Sequence, residues 1–312
     1  MVFLLGEVVA RIIASNGMHY DIEMTKYAKQ LKRKSTIVGL GHEHVPSSEA
    51  DLMGVNVKIN SVGMRDYEYP FEKNESTSRI LVLGDSQTFG WGVPFDETYP
   101  KVLNRMLNSI VPTPQVKEYE VINLGVGNYN TAQELLLLKH VGLNFQPDIV
   151  ILGFFVNDAE PTPELKSIFL LENSYLCVFL WSSFEILSIR LGYKADFITY
   201  YNNLYFSTNP DFNDWLKAIA TFSKLSKQIN FDFLVVLLPD LHDLSNHYPF
   251  RVISEKVVNA CKRNGIEYLD LFNVFKGYSP EKSLWVSPMD SHYNGKAHKM
   301  VADGIYSWIT KN

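Results

Sequence analysis

The chain has 312 residues, 46% of them hydrophobic and 13% aromatic, which is enough apolar side chain for a large buried core and too much for a disordered protein. A formal charge of −5 and a pI near 5.9 argue against nucleic acid or an anionic membrane as the main partner, since both demand a basic face. Two cysteines, Cys177 and Cys261, are too few for a disulfide framework and read as buried thiols.

In chain order, the apolar stretch Val2–Ile13 has no basic leader and is interrupted by Glu7 and Arg11, so it is neither a complete signal peptide nor a span, which takes ~20 apolar residues. Two readings stand: an amphipathic helix making peripheral membrane contact, or the stub of a membrane anchor. The first places the protein in the cytoplasm or on the cytoplasmic membrane, the second in the periplasm. Residues 1–34 read as helical and end on the basic run Lys29–Lys34, taken as a solvated helix end, and 35–78 read as an irregular lead-in. From Arg79 the chain alternates strands and helices. The run Ile80–Leu83 stops at Gly84-Asp85-Ser86, placing Ser86 outside the carboxyl end of a strand, where open α/β sheets build their sites. Val121–Asn130 is a second such exit, and Thr131-Ala132-Gln133-Glu134 is a capping-box pattern opening a helix. Asp148–Asp158 is a third, ending on Asn157, whose carboxamide donates two hydrogen bonds.

The aromatic-rich segment Pro161–Asn209 breaks this rhythm and reads either as a lid or acyl-recognition wall, or as an insertion packing its own core. A helix follows from Asn209-Pro210-Asp211, then a strand at Phe233–Leu238, a helix from Pro249 to Asn264 stopped by Gly265, and a short strand at Ile266–Leu269. Asp290-Ser291-His292 sets a carboxylate two residues before an imidazole, and Ala297, Val301, Ile305 and Trp308 share one face of a terminal helix. Strands separated by helices predict a mostly parallel sheet in a three-layer α/β/α sandwich. The expected organisation is an N-terminal helix and lead-in over 1–78, then one domain over 79–312 with an insertion at 161–209.

Ser86 is the candidate nucleophile, and a serine hydroxyl needs a base and oxyanion donors. Taken singly, Gly84-Asp85-Ser86 is an ordinary turn, Asn157, Asp158 and Asp290 are ordinary caps, and His292 a solvated first-turn histidine. Their joint occurrence after successive strand patterns is what points to a serine-hydrolase site. Gly84, Gly90 and Gly92 lack the Gly-Lys-Ser/Thr ending of a phosphate loop, and His242, Asp243 and His247 lack metal-ligand spacing and read as a solvated turn. No cofactor and no metal are expected.

Gly84-Asp85-Ser86, Asn123 to Thr131, Asn157-Asp158 and Asp290/His292 occur in the order found in the SGNH hydrolases, also called GDSL esterases and lipases, which the chain resembles over residues 79–305. Asn60-Ser61-Val62-Gly63-Met64-Arg65 also looks like wording in hydrolases found with bacterial surface-polysaccharide genes. The resemblance implies Ser86 as nucleophile, His292 as general base and then acid, and Asp290 as the group orienting the imidazole. It implies an oxyanion hole from the Ser86 N–H, the Asn128 N–H and the Asn157 side chain, with Asp85, Phe155 and Tyr293 at the substrate pocket. Asn128 and Phe155 stand where the family usually has glycine, D-x-H replaces D-x-x-H, and Tyr293 replaces proline. The expected function is a serine esterase removing an acyl group, favoured as O-acetyl, from a carbohydrate. The alternatives are acyl transfer by the same site or a noncatalytic polysaccharide-binding protein.

Overall fold

The computed structural model describes residues 2–15, 19–109, 116–163 and 168–311; residues 164–167 of the expected insertion lie outside these. Helices α1 (Val2–Ser15) and α2 (Tyr20–Leu31) lead into two antiparallel pairs, β1 (Lys32–Lys34) with β2 (His42–His44) and β3 (Glu49–Leu52) with β4 (Val55–Lys58). This corrects two expectations. The lead-in over 35–78 contains strands, and the helix stops at Leu31 because Lys32 turns extended to pair with His44, carrying its side chain inward instead of into solvent.

The alternating part runs β5 (Thr77–Gly84), α3 (Ser86–Phe89), α4 (Tyr99–Asn108), β6 (Glu118–Gly125), α5 (Thr131–His140) and β7 (Ile149–Phe154). The aromatic segment forms α6 (Phe169–Asn173), α7 (Tyr175–Arg190) and α8 (Phe197–Leu204), leaving much of its apolar surface exposed. Then come α9 (Pro210–Ile229), β8 (Asp232–Leu237), α10 (Arg251–Asn264), β9 (Glu267–Asp270), α11 (Phe272–Phe275), the hairpin β10 (Trp285–Ser287) and β11 (Asp290–Tyr293), and α12 (Gly295–Ile309). Helix α5 is capped by Asn130, whose side chain and that of Gln133 satisfy each other's backbone N–H, one residue earlier than the Thr131/Glu134 box expected. Cys177 is half-buried, not buried, while Cys261 is in the core.

The sheet is parallel, in the order β6–β5–β7–β8–β9. Ile80 to Leu83 on β5 are fully buried, because a parallel strand covered by helices on both faces meets no water. With β6 on one side of β5 and β7 on the other, right-handed crossovers send α4 and α5 to opposite faces. The carboxyl end of β5 is therefore the switch point of the sheet, and Ser86 follows it directly.

Three glycines make that end flat. Gly84 pairs in register with Gly125 on β6 and Gly153 on β7. A Cβ on Gly125 would lie 2.3 Å from the Phe89 nitrogen, so only glycine lets α3 lie across the strand ends.

Candidate active site

Ser86 is the first residue of α3, and Asp85 caps that helix by accepting the Gln87 N–H at 2.9 Å. Left-handed Gly90 (φ 83°) closes the turn. His292 and Asp290 sit on β11, where residues two apart point to the same side of an extended strand, so D-x-H spacing is sufficient to join them. The Tyr293 N–H donates to Gln87 Oε1 at 3.1 Å and its hydroxyl to the Pro239 carbonyl, tying β11 to α3 and to the end of β8.

These elements bring Ser86 Oγ within 2.8 Å of His292 Nε2 and His292 Nδ1 within 2.5 Å of Asp290 Oδ1. A carboxylate only accepts, so Nδ1 carries the proton and Nε2 is free to take that of Ser86. Asp290 also accepts the His292 N–H at 3.1 Å and, on Oδ2, the Trp91 indole N–H at 2.9 Å. Burial alone would raise its pKa; the contacts from His292 and Trp91 outweigh it and hold the carboxyl below its ordinary range. The Tyr20 ring stacks on His292 with centroids 5.8 Å apart.

The Gly127–Asn128 turn after β6 is held from outside the sheet. Asn128 takes the left-handed conformation (φ 66°), which Asn tolerates better than most residues. The preceding Gly127 donates its N–H to the Tyr27 hydroxyl at 3.0 Å, and its carbonyl accepts from Lys32 Nζ at 2.6 Å and His42 Nε2 at 3.1 Å. Lys32 also reaches Asn128 Oδ1 at 3.3 Å, and Tyr27 bonds His44 Nε2 at 2.6 Å. Burial without a carboxylate partner lowers the Lys32 pKa to about 7, and burial likewise lowers His42 and His44 to about 3, leaving both imidazoles neutral. Asn157 Nδ2 donates to Asp85 Oδ2 at 2.9 Å, which leaves its second N–H for another acceptor.

The pocket expectation is corrected in part. Asp85 and Tyr293 are buried, one engaged by Gln87 and Asn157 and the other by Gln87 and Pro239, so neither side chain lines open space. Phe155 is half-buried and packs against the main core. The His242–Asp243–His247 turn is solvated as expected, both histidines being exposed, and His242 Nδ1 lies 2.9 Å from buried Asp240. Tyr20, Tyr27, Lys32 and Trp91 had not been singled out. Only Trp91 carried a local hint, since it follows the first block directly; the others reach the site from an N-terminal segment with no motif of its own.

A parallel α/β sandwich that sets a Ser–His–Asp hydrogen-bonded series at its switch point defines a protein of the SGNH hydrolase class. The profile of the GDSL-like Lipase/Acylhydrolase family matches residues 82–300, and the chain belongs to that family. Among solved structures it is similar to an acetyl xylan esterase, AlAXEase, at 19% identity over 74% of this chain and 99% of that one, TM-score 0.48. It is similar to a two-domain esterase active on acetylated mannans at 15% identity over 75% of this chain and 49% of that one, TM-score 0.49. A GDSL-like lipase from Bacteroides thetaiotaomicron matches at 14% identity over 75% of this chain and 88% of that one, TM-score 0.44. No curated protein matches.

Proposed function

We propose that the protein is a serine ester hydrolase working through an acyl-enzyme, and the observation that carries this is the 2.8 Å approach of Ser86 Oγ to His292 Nε2. His292 takes the Ser86 proton as Oγ attacks the ester carbonyl. The oxyanion that forms is met by the Ser86 and Asn128 N–H groups and the second Asn157 amide hydrogen. His292 returns its proton to the departing alkoxide, and water then cleaves the acyl-enzyme by the same two proton transfers. A sugar hydroxyl in place of water would give acyl transfer.

The acyl group in this reading is acetyl and the leaving alcohol a carbohydrate hydroxyl. Phe155 supports it, standing two residues before Asn157 where the resembled family has glycine, and so do the Tyr20 and Trp91 rings that flank His292. The two rings take up volume beside the His292 imidazole. Ser86→Ala should abolish turnover of 4-nitrophenyl acetate while leaving the melting temperature within a few degrees of wild type; retained turnover in the purified variant overturns the assignment. In a series of 4-nitrophenyl esters, kcat/KM should peak at acetate or propionate. An optimum at eight carbons or more would overturn the short-acyl part alone.

A further inference from the structure

The least protein-like surface of the molecule is the one built by α1 and the segment α6–α7. On α1, Phe3, Leu4, Leu5, Val8, Val9, Ile12 and Ile13 are all exposed, Leu4 at 69%. On α7, Leu180, Trp181, Phe184, Ile186, Leu187 and Ile189 are exposed, and Phe169 on α6 is 75% exposed. Such runs project from their helices in several directions, as in helices bathed by an apolar phase. The two helices nevertheless form one built unit. Gly6 lets α1 approach Leu176 closely, and Glu7 accepts from Ser174 Oγ at 2.7 Å and the Leu176 N–H at 3.1 Å, capping the start of α7. Two of its charged side chains are paired locally, Arg11 with Glu7 at 2.7 Å and Glu185 with Lys194, just past α7, at 2.5 Å.

We infer that this face rests on a lipid bilayer as a peripheral docking surface, with α1 and α7 lying in the interface. Two further observations favour lipid over a protein partner. The chain has 29 basic and 34 acidic residues, yet residues 1–34 carry five basic residues besides buried Lys32 and three acidic, so the apolar face is joined to a segment of net positive charge, which anionic headgroups favour. A cleft of about 430 Å³ is also lined by Trp181, Leu171 and Ile168 of the aromatic segment, by Met24 and Ala28 of α2, and by Asn128 of the proposed oxyanion turn. The cleft thus joins this surface to that turn. Among the described residues no helix is long and apolar enough to cross a membrane.

The docking inference deepens the proposed function by naming where its ester would be presented, and it is tested without using turnover as the readout. The full chain is floated with phosphatidylcholine vesicles with and without phosphatidylglycerol, beside the double variant Leu5→Asp/Phe184→Asp, whose sites are exposed and belong to neither the Ser86–His292–Asp290 series nor the Gly127–Asn128 turn. Wild type should rise with the vesicles, more with phosphatidylglycerol, and the variant should partition about tenfold or more weaker, while both hydrolyse soluble 4-nitrophenyl acetate equally. Wild type that stays at the bottom of both gradients overturns the inference. So does a soluble dimer, seen by sedimentation, that the variant dissociates while vesicle binding is unaffected. Loss of soluble-ester turnover in wild type would instead count against the hydrolase reading and leave the flotation result standing.

Discussion

Asp290 does its work through two atoms, one facing His292 and the other Trp91. Asp290→Asn would keep the shape but exchange an acceptor for a donor, favouring the wrong histidine tautomer, so kcat should fall by about 10³ to 10⁴ with KM little changed. A variant of wild-type activity would reduce the series to Ser86 and His292. Trp91→Phe removes one charge-assisted hydrogen bond and should cost kcat about tenfold. It also moves acid stability in a defined direction. Because the folded-state pKa of Asp290 is depressed, its contribution is present above the unfolded-chain pKa and is lost as pH falls through the folded value. Without the indole N–H that folded value rises, so the acid-unfolding midpoint of Trp91→Phe should lie at higher pH than that of wild type; an unchanged midpoint would show that the indole does not stabilise the charged carboxylate.

On the scale of elements, the Gly127–Asn128 turn, which the proposed mechanism uses as an oxyanion donor, is a shared product of the sheet and the N-terminal brace formed by α2 and the β1–β2 pair. Gly127 is fixed by Tyr27 from α2, Lys32 from β1 and His42 from β2. Tyr27→Phe leaves the Gly127 N–H and His44 Nε2 without a partner in a buried site and should destabilise by about 1–3 kcal/mol. It should also lower kcat more than it raises KM, because a misplaced turn weakens oxyanion contacts made in the transition state. Loss of stability with kcat intact would confine the brace to a structural role. The close lie of α3 on the strand ends makes a sharper claim about Gly125, since an alanine Cβ there would press into the backbone of Thr88 and Phe89. Gly125→Ala should therefore displace α3 and, with it, Ser86, giving a loss of activity larger than its loss of melting temperature suggests.

For the molecule as a whole, stability should depend on pH through two buried acids that no cation faces among the described residues. Burial, reinforced by their mutual repulsion and by Asp85, raises Glu134 on α5 and Asp158 after β7 well above ordinary carboxyl values. Asp158 accepts from Thr131 Oγ1 at 2.9 Å, and that hydroxyl only partly offsets the cost of burying Glu134. Unfolded carboxyls release their protons near pH ~4, whereas these stay protonated in the fold. Between the two values the unfolded chain binds fewer protons, so stability falls as pH rises. Glu134→Gln, which stays neutral at every pH, should raise the melting temperature at pH 8 by more than at pH 5. An equal shift at both would assign the effect to packing.

The sequence alone determined the parallel α/β core and the segments from which the site is drawn. Buried parallel strands must be nearly continuous apolar runs, as Ile80–Leu83 and Phe233–Leu238 are, and a site at strand ends must interrupt such runs with small polar residues, as Ser86 and Asn157 do. Local chemistry of this kind is legible one residue at a time. What tertiary structure decided is which distant groups complete the site. The placement of His292 beside Ser86 depends on β11 adopting an extended hairpin, and no spacing rule in the chain foretells that D-x-H will lie on a strand instead of a helix turn. The brace of Tyr27, Lys32 and His42 joins Gly127 across about a hundred residues, and such contacts leave no periodicity or motif because each is made by a single side chain. Lys32 is the clearest case: in the chain it belongs to a basic run that reads as solvated, and only the packing of β1 against the Gly127–Asn128 turn buries it.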